Sequence, residues 1–464
     1  MTLPPPAFPR ATGSPAGIPP APTSPRAQRG SVLIIVLWVT FGLVSLALYF
    51  ANSMSMELRA SENRVAAVQA DQAILGAAKY VTNLLADLEI PGRLPDSWSY
   101  RAEAVPIGEA QFWFIGRPET DTAQEEPVFS LADEGARLPL NSATAEMLQW
   151  LPRMTAELAA AIVDWRDEDS DAGDGGAEDE TYQRLNQPYR CKNAPFESLE
   201  ELRLVRGMTT EILYGEDTNL NGVLDSNEND GDQSPPVDNR DGHLDPGLIE
   251  YLTLWTRPPT VDDEGNALIN VTTGDRQQLA TLLQEKFGAD RANALLRQLG
   301  TNTAQLASPL QFYLRAGFTP DEFAQIEGSV TAGAPATNAT VNVNTASEAV
   351  LACIPGIGPD LAPNLVARRR SNASTAPPSL AWVTEVLDES QATQAGPFLS
   401  SRTTQFVADV AAVGRHGRGY RRVRFICDLS GAAPRLVARR DLTDFGWSLG
   451  REVRRSFLLA ARNR

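Results

Sequence analysis

The densest chemistry in this chain is a run of oxygen donors. In the twelve residues DTNLNGVLDSNE, Asp217, Asn219, Asn221, Asp225 and Glu228 occupy positions 1, 3, 5, 9 and 12, and Gly222 occupies position 6. This is the spacing of an EF-hand loop: the first three side chains wrap an ion, the Val223 carbonyl adds a ligand, Asp225 binds directly or through water, and Glu228 closes the shell with two oxygens. Hard oxygen donors in that number favour Ca²⁺ over zinc or copper. The alternative is a solvated acidic turn, but Gly at 6, an apolar residue at 8 and Glu at 12 stand together here. Asn229-Asp230-Gly231-Asp232 and Pro235-Pro236 follow where an EF-hand would continue into a helix. The expectation is an isolated, structural calcium loop that staples a domain.

A second run, Asp238, Asn239, Asp241 and Asp245, repeats the Asn-x-Asp-Gly-x-Leu-Asp core, with Val237 and Leu248 in its first and twelfth places. One further ion there is an open alternative to none. Asp167, Asp169, Asp171, Asp174, Glu178, Asp179 and Glu180 read as a solvated loop. Two histidines, His243 and His416, leave little material for a histidine-based metal site or a Ser-His-acid triad, so no enzyme is expected. Cys191, Cys353 and Cys427 are too few and too far apart for a disulfide scaffold or a zinc site. A Cys191–Cys353 bridge and small buried thiols are both open.

Several elements must carry these loops. The 464 residues suffice for two or three domains, and residues 31–51, SVLIIVLWVTFGLVSLALYFA, contain no charge. About 20 apolar residues span the hydrocarbon layer as a helix, so one transmembrane helix is expected and a multi-span transporter is excluded. Residues 1–30 are rich in Pro, Ala and Ser and carry Arg10, Arg26 and Arg29 but no acid. They read as a leader held in the cytoplasm, with the C-terminal bulk sent across the membrane. The apolar run continues without Pro into an amphipathic pattern to about Ile90, which makes one helix of about 60 residues.

This arrangement resembles a type IV pilin or pseudopilin precursor. In that family a basic leader ends in Gly, a prepilin peptidase cuts after it, and the apolar helix follows. Gly30 would then be the last leader residue and Ser31 the new N-terminus, a departure from the family's aromatic or aliphatic first residue. The family also carries Glu as its fifth mature residue, where this chain has Ile35. A carboxylate buried among apolar helices is tolerable only when paired, and its partner is thought to be the neighbouring subunit's amine. A subunit without a neighbour above it has no amine to neutralise, and the resemblance implies the K-type minor subunit at a filament tip. The competing reading of this region is a plain single-span anchor.

Residues 99–131 alternate and are aromatic-rich, as strands following the helix would be. From Leu138 and again from Asn342 the chain shows an Asn-led cap, a short helix, a tight turn and a second helix, with a weaker third copy at 269–283. These are helix-hairpin-helix-like repeats, and Arg368, Arg369 and Arg370 end the second. A membrane-anchored DNA-binding protein of a DNA-uptake type is therefore the alternative. Charge weighs against it: the net −17 becomes −20 once three leader arginines leave. After Ala395, TTQFVADVAAVG, YRRVRFICDLS and RLVARRD read as strands returning to the first sheet.

GGAEDETYQRLNQPYRCKNAPFESLEELRLVRGMTTEILYG (175–215) and DGHLDPGLIEYLTLW (241–255) are similar to the general secretion pathway protein K family. The resemblance implies an α+β pilin-like fold, a long helix on an antiparallel sheet, with an inserted all-α domain of helix-hairpin-helix-like repeats. The expected segments are a cleaved leader (1–30), a transmembrane helix (31–51), a first pilin-like part (52–137), the insert with its calcium loop (138–395) and a second pilin-like part (396–464). It implies a non-enzymatic tip subunit of the type II secretion pseudopilus. Its partners would be I-type and J-type minor pseudopilins, a prepilin peptidase and the inner membrane, with no nucleic acid.

Overall fold

The computed structural model describes residues 29–462 apart from 118–125, Asp275, 334–338, 372–377 and Ala432. Most of the expected leader, residues 1–28, lies outside them. The chain forms two compact units, residues 1–62 and 63–464. One helix, Arg29–Ala86, begins in the first and ends in the second, and its 58 residues match the continuous pattern read from the sequence. In the first unit Val32–Phe50 is exposed on every side, Trp38 at 72% and Phe41 at 68%. Among the described residues this is the one helix long and apolar enough to cross a bilayer.

In the second unit the helix changes character. Ala66, Ala70, Ala73, Ile74, Ala77, Val81 and Leu85 recur every three or four residues and are buried. They pack on an antiparallel sheet whose strands run in the order Val105–Ile107, Ala110–Phe114, Gln405–Val413, Arg421–Asp428, Arg435–Asp441. Ala132–Asp133 also pairs with Gln405–Val413, placing Phe406 opposite Asp133. The period of two aims Phe406, Ala408, Val410 and Ala412 at the helix, with Phe112, Phe114, Val423 and Phe425. The other face carries Trp113, Ile115, Ala411 and Val413, which pack on Leu449. Gln405–Val413 is buried along its whole length.

Between Asp133 and Gln405 the chain builds the helical insert, whose apolar residues from Leu138 to Leu399 form one continuous core. It contains three modules, each closed by a two-residue parallel pair. Leu138–Pro139 pairs with Leu252–Thr253, Ile269–Asn270 with Val330–Thr331, and Val341–Asn342 with Leu399–Ser400. The insert is therefore helical with three short β pairs, because each pair is what brings a module's ends together. The weak copy at 269–283 opens a module framed like the other two, and Gly288, at φ 79°, breaks its helical stretch Arg276–Leu299 into two helices. Side-chain caps start the hairpin helices: Thr144 accepts from the Met147 amide, Thr155 from Leu158 and Ser347 from Val350.

All three cysteines are free and buried. Cys191 and Cys353 form no bridge, and burial pushes each of the three thiols up to about 12. A helix at Gly450–Arg462, which the sequence pattern did not announce, follows the last strand.

Candidate calcium loop and its junction with the sheet

The 217–228 segment folds as a tight loop around its own side chains. Leu220 and Gly222 adopt positive φ (54° and 74°), which turns successive backbone amides inward. Asp217 accepts from the Asn221 amide at 3.0 Å and from Gly222 at 2.8 Å, and Asn221 Oδ1 accepts from Val223 at 2.7 Å. Glu228 reaches back across the loop: Oε1 accepts from both the Thr218 amide and its hydroxyl at 2.9 Å, and Oε2 accepts from the Asp225 amide at 2.9 Å. The Asn219 amide donates to Asp225 at 2.8 Å. Asp217, Asn221, Val223 and Glu228 are all buried, and Asp225 and Asn219 are half-buried.

The donor set fits a hard cation. Asn219 Oδ1 is buried and accepts no hydrogen bond, an oxygen with a lone-pair site to fill. Burial pushes the Glu228 carboxyl up to about 7, helped by the negative charge of Asp217. Burial also raises Asp217, against the pull of Arg117. Burial thus favours the neutral form of both carboxyls, which a bound cation would oppose. A 3-10 turn at Ser226–Glu228 ends the loop and no helix leaves it, as the residues after Glu228 require.

The second run is split. Asn239 donates to Asp241 at 3.1 Å and to Asp245 at 3.3 Å, which brings three of its four members together. Asp238 turns away and accepts from the amides of Asp230, Gly231 and Arg240. Arg153 stands 3.3 Å from Asp245 and 3.6 Å from Glu216, so this cluster already has a counter-charge.

What the 217–228 loop touches explains its place in the fold. Arg422 donates to the carbonyls of Asn219 and Leu220, and Arg117 donates to Leu220 O at 3.0 Å. Both arginines belong to the sheet side of the molecule. Arg422 is fully buried and pairs with Asp409 at 2.8 Å, while Arg424 holds the same carboxylate at 2.8 Å. Burial alone would raise Asp409, but the two guanidiniums keep it well below the usual carboxylate range. Arg117 also pairs with Glu250 of the insert at 2.6 Å, and Arg137 joins Glu250 to Glu134. Glu250 is likewise held low against its burial by Arg117 and Arg137. The loop is thus tied to the central strands by charged donors that leave its carbonyls no freedom to drift.

The hairpins use their arginines for packing. Arg369 donates to the carbonyls of Val343 (2.9 Å) and Ala346 (2.7 Å) in its own module, and Arg166 does the same to Leu140 and Ala143. Arg368 pairs with Glu385. Arg369 and Arg368, which a phosphate would need, already have partners.

A membrane-length apolar helix that continues onto an antiparallel sheet, with a helical domain inserted between that sheet's strands, defines a pilin-like subunit with an insert. Residues 139–214 match the family model described as type II secretion system (T2SS), protein K, and residues 337–378 match that of the helix-hairpin-helix motif. Type II secretion system protein K of Pectobacterium carotovorum subsp. carotovorum is 24% identical over 196 residues, 40% of this chain and 60% of that protein. Its counterpart from Klebsiella pneumoniae is 26% identical over 200 residues, with the same shares. The chain therefore spans about 60% of the length of these curated relatives. One chain of the crystal structure of the GspK-GspI-GspJ complex from enterotoxigenic Escherichia coli aligns over 84% of this chain and 98% of its own length, at 11% identity and a TM-score of 0.40. The chain is thus similar to type II secretion system protein K, most specifically over residues 139–214.

Proposed function

We propose that this chain is a minor pseudopilin at the tip of the type II secretion pseudopilus. It would assemble with I-type and J-type minor pseudopilins to initiate the filament that supports export of folded proteins across the outer membrane. The observation that carries the reading is the protein K domain at 139–214 set inside a pilin-type sheet fed by one apolar helix. The role is structural and involves no catalysis. A prepilin peptidase would cut between Gly30 and Ser31 and leave the helix as the single inner-membrane anchor, with residues 63–464 in the periplasm. Co-expression with the I-type and J-type subunits tests this: a ternary complex should elute together, and the chain in it should begin at Ser31 by mass. Elution of this chain alone, with the other two paired, would overturn the assignment.

Within that role the 217–228 loop holds Ca²⁺ through Asp217, Asn219, Asn221, the Val223 carbonyl, Asp225 and Glu228. A ligand that binds only the folded state stabilises it by mass action, by about 2.7 kcal/mol at a hundredfold excess over Kd. Chelation should therefore lower the melting temperature, and added Ca²⁺ should restore it. Glu228→Gln removes a charge and the bidentate closing ligand, so it should weaken binding more than Asn219→Ala. A melting temperature indifferent to both chelator and calcium would remove the site.

A further inference from the structure

The last helix carries a basic face that the fold itself does not use. Residues 415–464 contain thirteen arginines, no lysine and four acids, a net +9, so the rest of the chain carries −26. Arg422 and Arg424 are committed to Asp409, Arg421 to Asp71 at 3.0 Å and Arg440 to Glu200. The helix Gly450–Arg462 spends its residues differently. Val453 and Phe457, one turn apart, face the sheet, where the Phe457 ring meets Trp113 and Trp447 edge-on at centroid distances of 6.1 and 6.5 Å. The outer face places Arg454 one turn from Leu458 and Arg455 one turn from Leu459. All four are exposed, Leu458 at 61% and Leu459 at 50%, and among the described residues Arg454 and Arg455 pair with no acid.

The helix also has a direction. At its start Arg451 donates to the Ser226 hydroxyl of the 217–228 loop at 2.7 Å. At its far end Phe457 and Ala460 line a groove with Gly414 and His416, in the turn between the strands Gln405–Val413 and Arg421–Asp428. The same turn abuts the long helix, where the Arg415 amide donates to Gln69 Oε1 at 3.2 Å. Leu458 and Leu459 therefore stand at the end of the sheet where the long helix enters the second unit. Water has no use for this pairing of arginine with leucine, and a nucleic acid none for the leucines. A surface of anionic lipid takes both, the guanidiniums on headgroup phosphates and the leucines beneath them.

We infer that the outer face of Gly450–Arg462 docks on an anionic lipid surface, a second contact with the bilayer that rests on the proposed transmembrane anchor. The full chain inserted in nanodiscs of phosphatidylcholine, with and without phosphatidylglycerol as a third of the lipid, tests it by hydrogen exchange. Amides 454–460 should exchange several-fold more slowly in the anionic discs than in the neutral ones, and molar salt should remove most of the difference. The double variant Arg454→Glu, Arg455→Glu changes only exposed side chains, so it should fold and insert as the parent does yet lose the protection. Leu458→Ser should lose part of it. Equal exchange in both discs would overturn the contact and leave the anchor standing, whereas a chain that inserts in neither disc would overturn the anchor and this contact with it. Protection gained only when I-type and J-type subunits are added, and lost in the double variant, would mean that the face takes an acidic protein instead of lipid.

Discussion

Asp409 is a lone acid in the apolar strand FVADVAAV, and both arginines that neutralise it lie two residues apart on the next strand. Removing one partner of a buried ion pair leaves the other charged and dry, at a cost of about 3–5 kcal/mol. Asp409→Asn should therefore lower stability by that order in denaturant melts and loosen the 217–228 loop that Arg422 holds. An Asp409→Asn protein as stable as its parent would show that the pair is dispensable. The pH dependence has a definite sign. In the folded state the two arginines outweigh burial and hold this carboxyl below its ordinary value, so the folded chain binds fewer protons than the unfolded one. The contribution is complete above the unfolded value of about 4 and is lost as the pH falls from there toward the folded value. Glu250 carries the same sign. Wild-type stability should thus fall more steeply below about pH 4 than that of Asp409→Asn, and parallel acid curves would refute the coupling. Asp409 was legible as an oddity in its strand, but its partners were not. Arg422 and Arg424 alternate with Val423 and Phe425 as a solvent-facing row would, and only the insert lying over that face makes them buried.

At the scale of elements, period and punctuation located most of the fold. The expected runs at 403–414, 420–430 and 435–441 contain the observed strands Gln405–Val413, Arg421–Asp428 and Arg435–Asp441, because alternation persists where one face meets a helix. The parallel pairs that close the modules escaped notice, since two residues carry no periodicity. In the acidic loop at 167–180, the return of Glu178 beside Asp167 depends on a turn through glycines that no spacing rule specifies. The helix's approach to the strand ends is also set by glycine: a Cβ on Gly419, at φ +70°, would sit 2.3 Å from the Ala66 backbone. The hairpin arginines permit a contrast in magnitude. Arg369→Ala would strand the carbonyls of two fully buried residues, Val343 and Ala346, at about 1–3 kcal/mol. Arg368→Ala removes a half-exposed pair with Glu385 and should cost under about 1 kcal/mol. Thermal melts giving the opposite order would show that the clamp is not what holds the third module closed.

For the whole molecule, the proposed tip position can be tested by what the apolar helix lacks. Ile35 stands where related filament subunits carry a glutamate, and in the first unit it is 61% exposed along a helix with no charge from Val32 to Phe50. A carboxylate introduced there must be matched by a cation from another subunit or meet the bilayer unpaired, at a cost of up to about 3 kcal/mol. A subunit inside the filament finds the amine of the one above it, whereas a subunit at the tip has none above. Ile35→Glu should therefore leave the chain processed and membrane-bound but reduce pseudopilus initiation and export severalfold, and Ile35→Leu should behave as the parent. The pair separates position from hydrophobicity, because both variants keep helix and length and only one brings a charge that needs a neighbour. Export at the parental level with Ile35→Glu would mean that a cation from an adjoining subunit reaches residue 35. The chain would then sit within the filament, and its insert would have to be accommodated along the shaft.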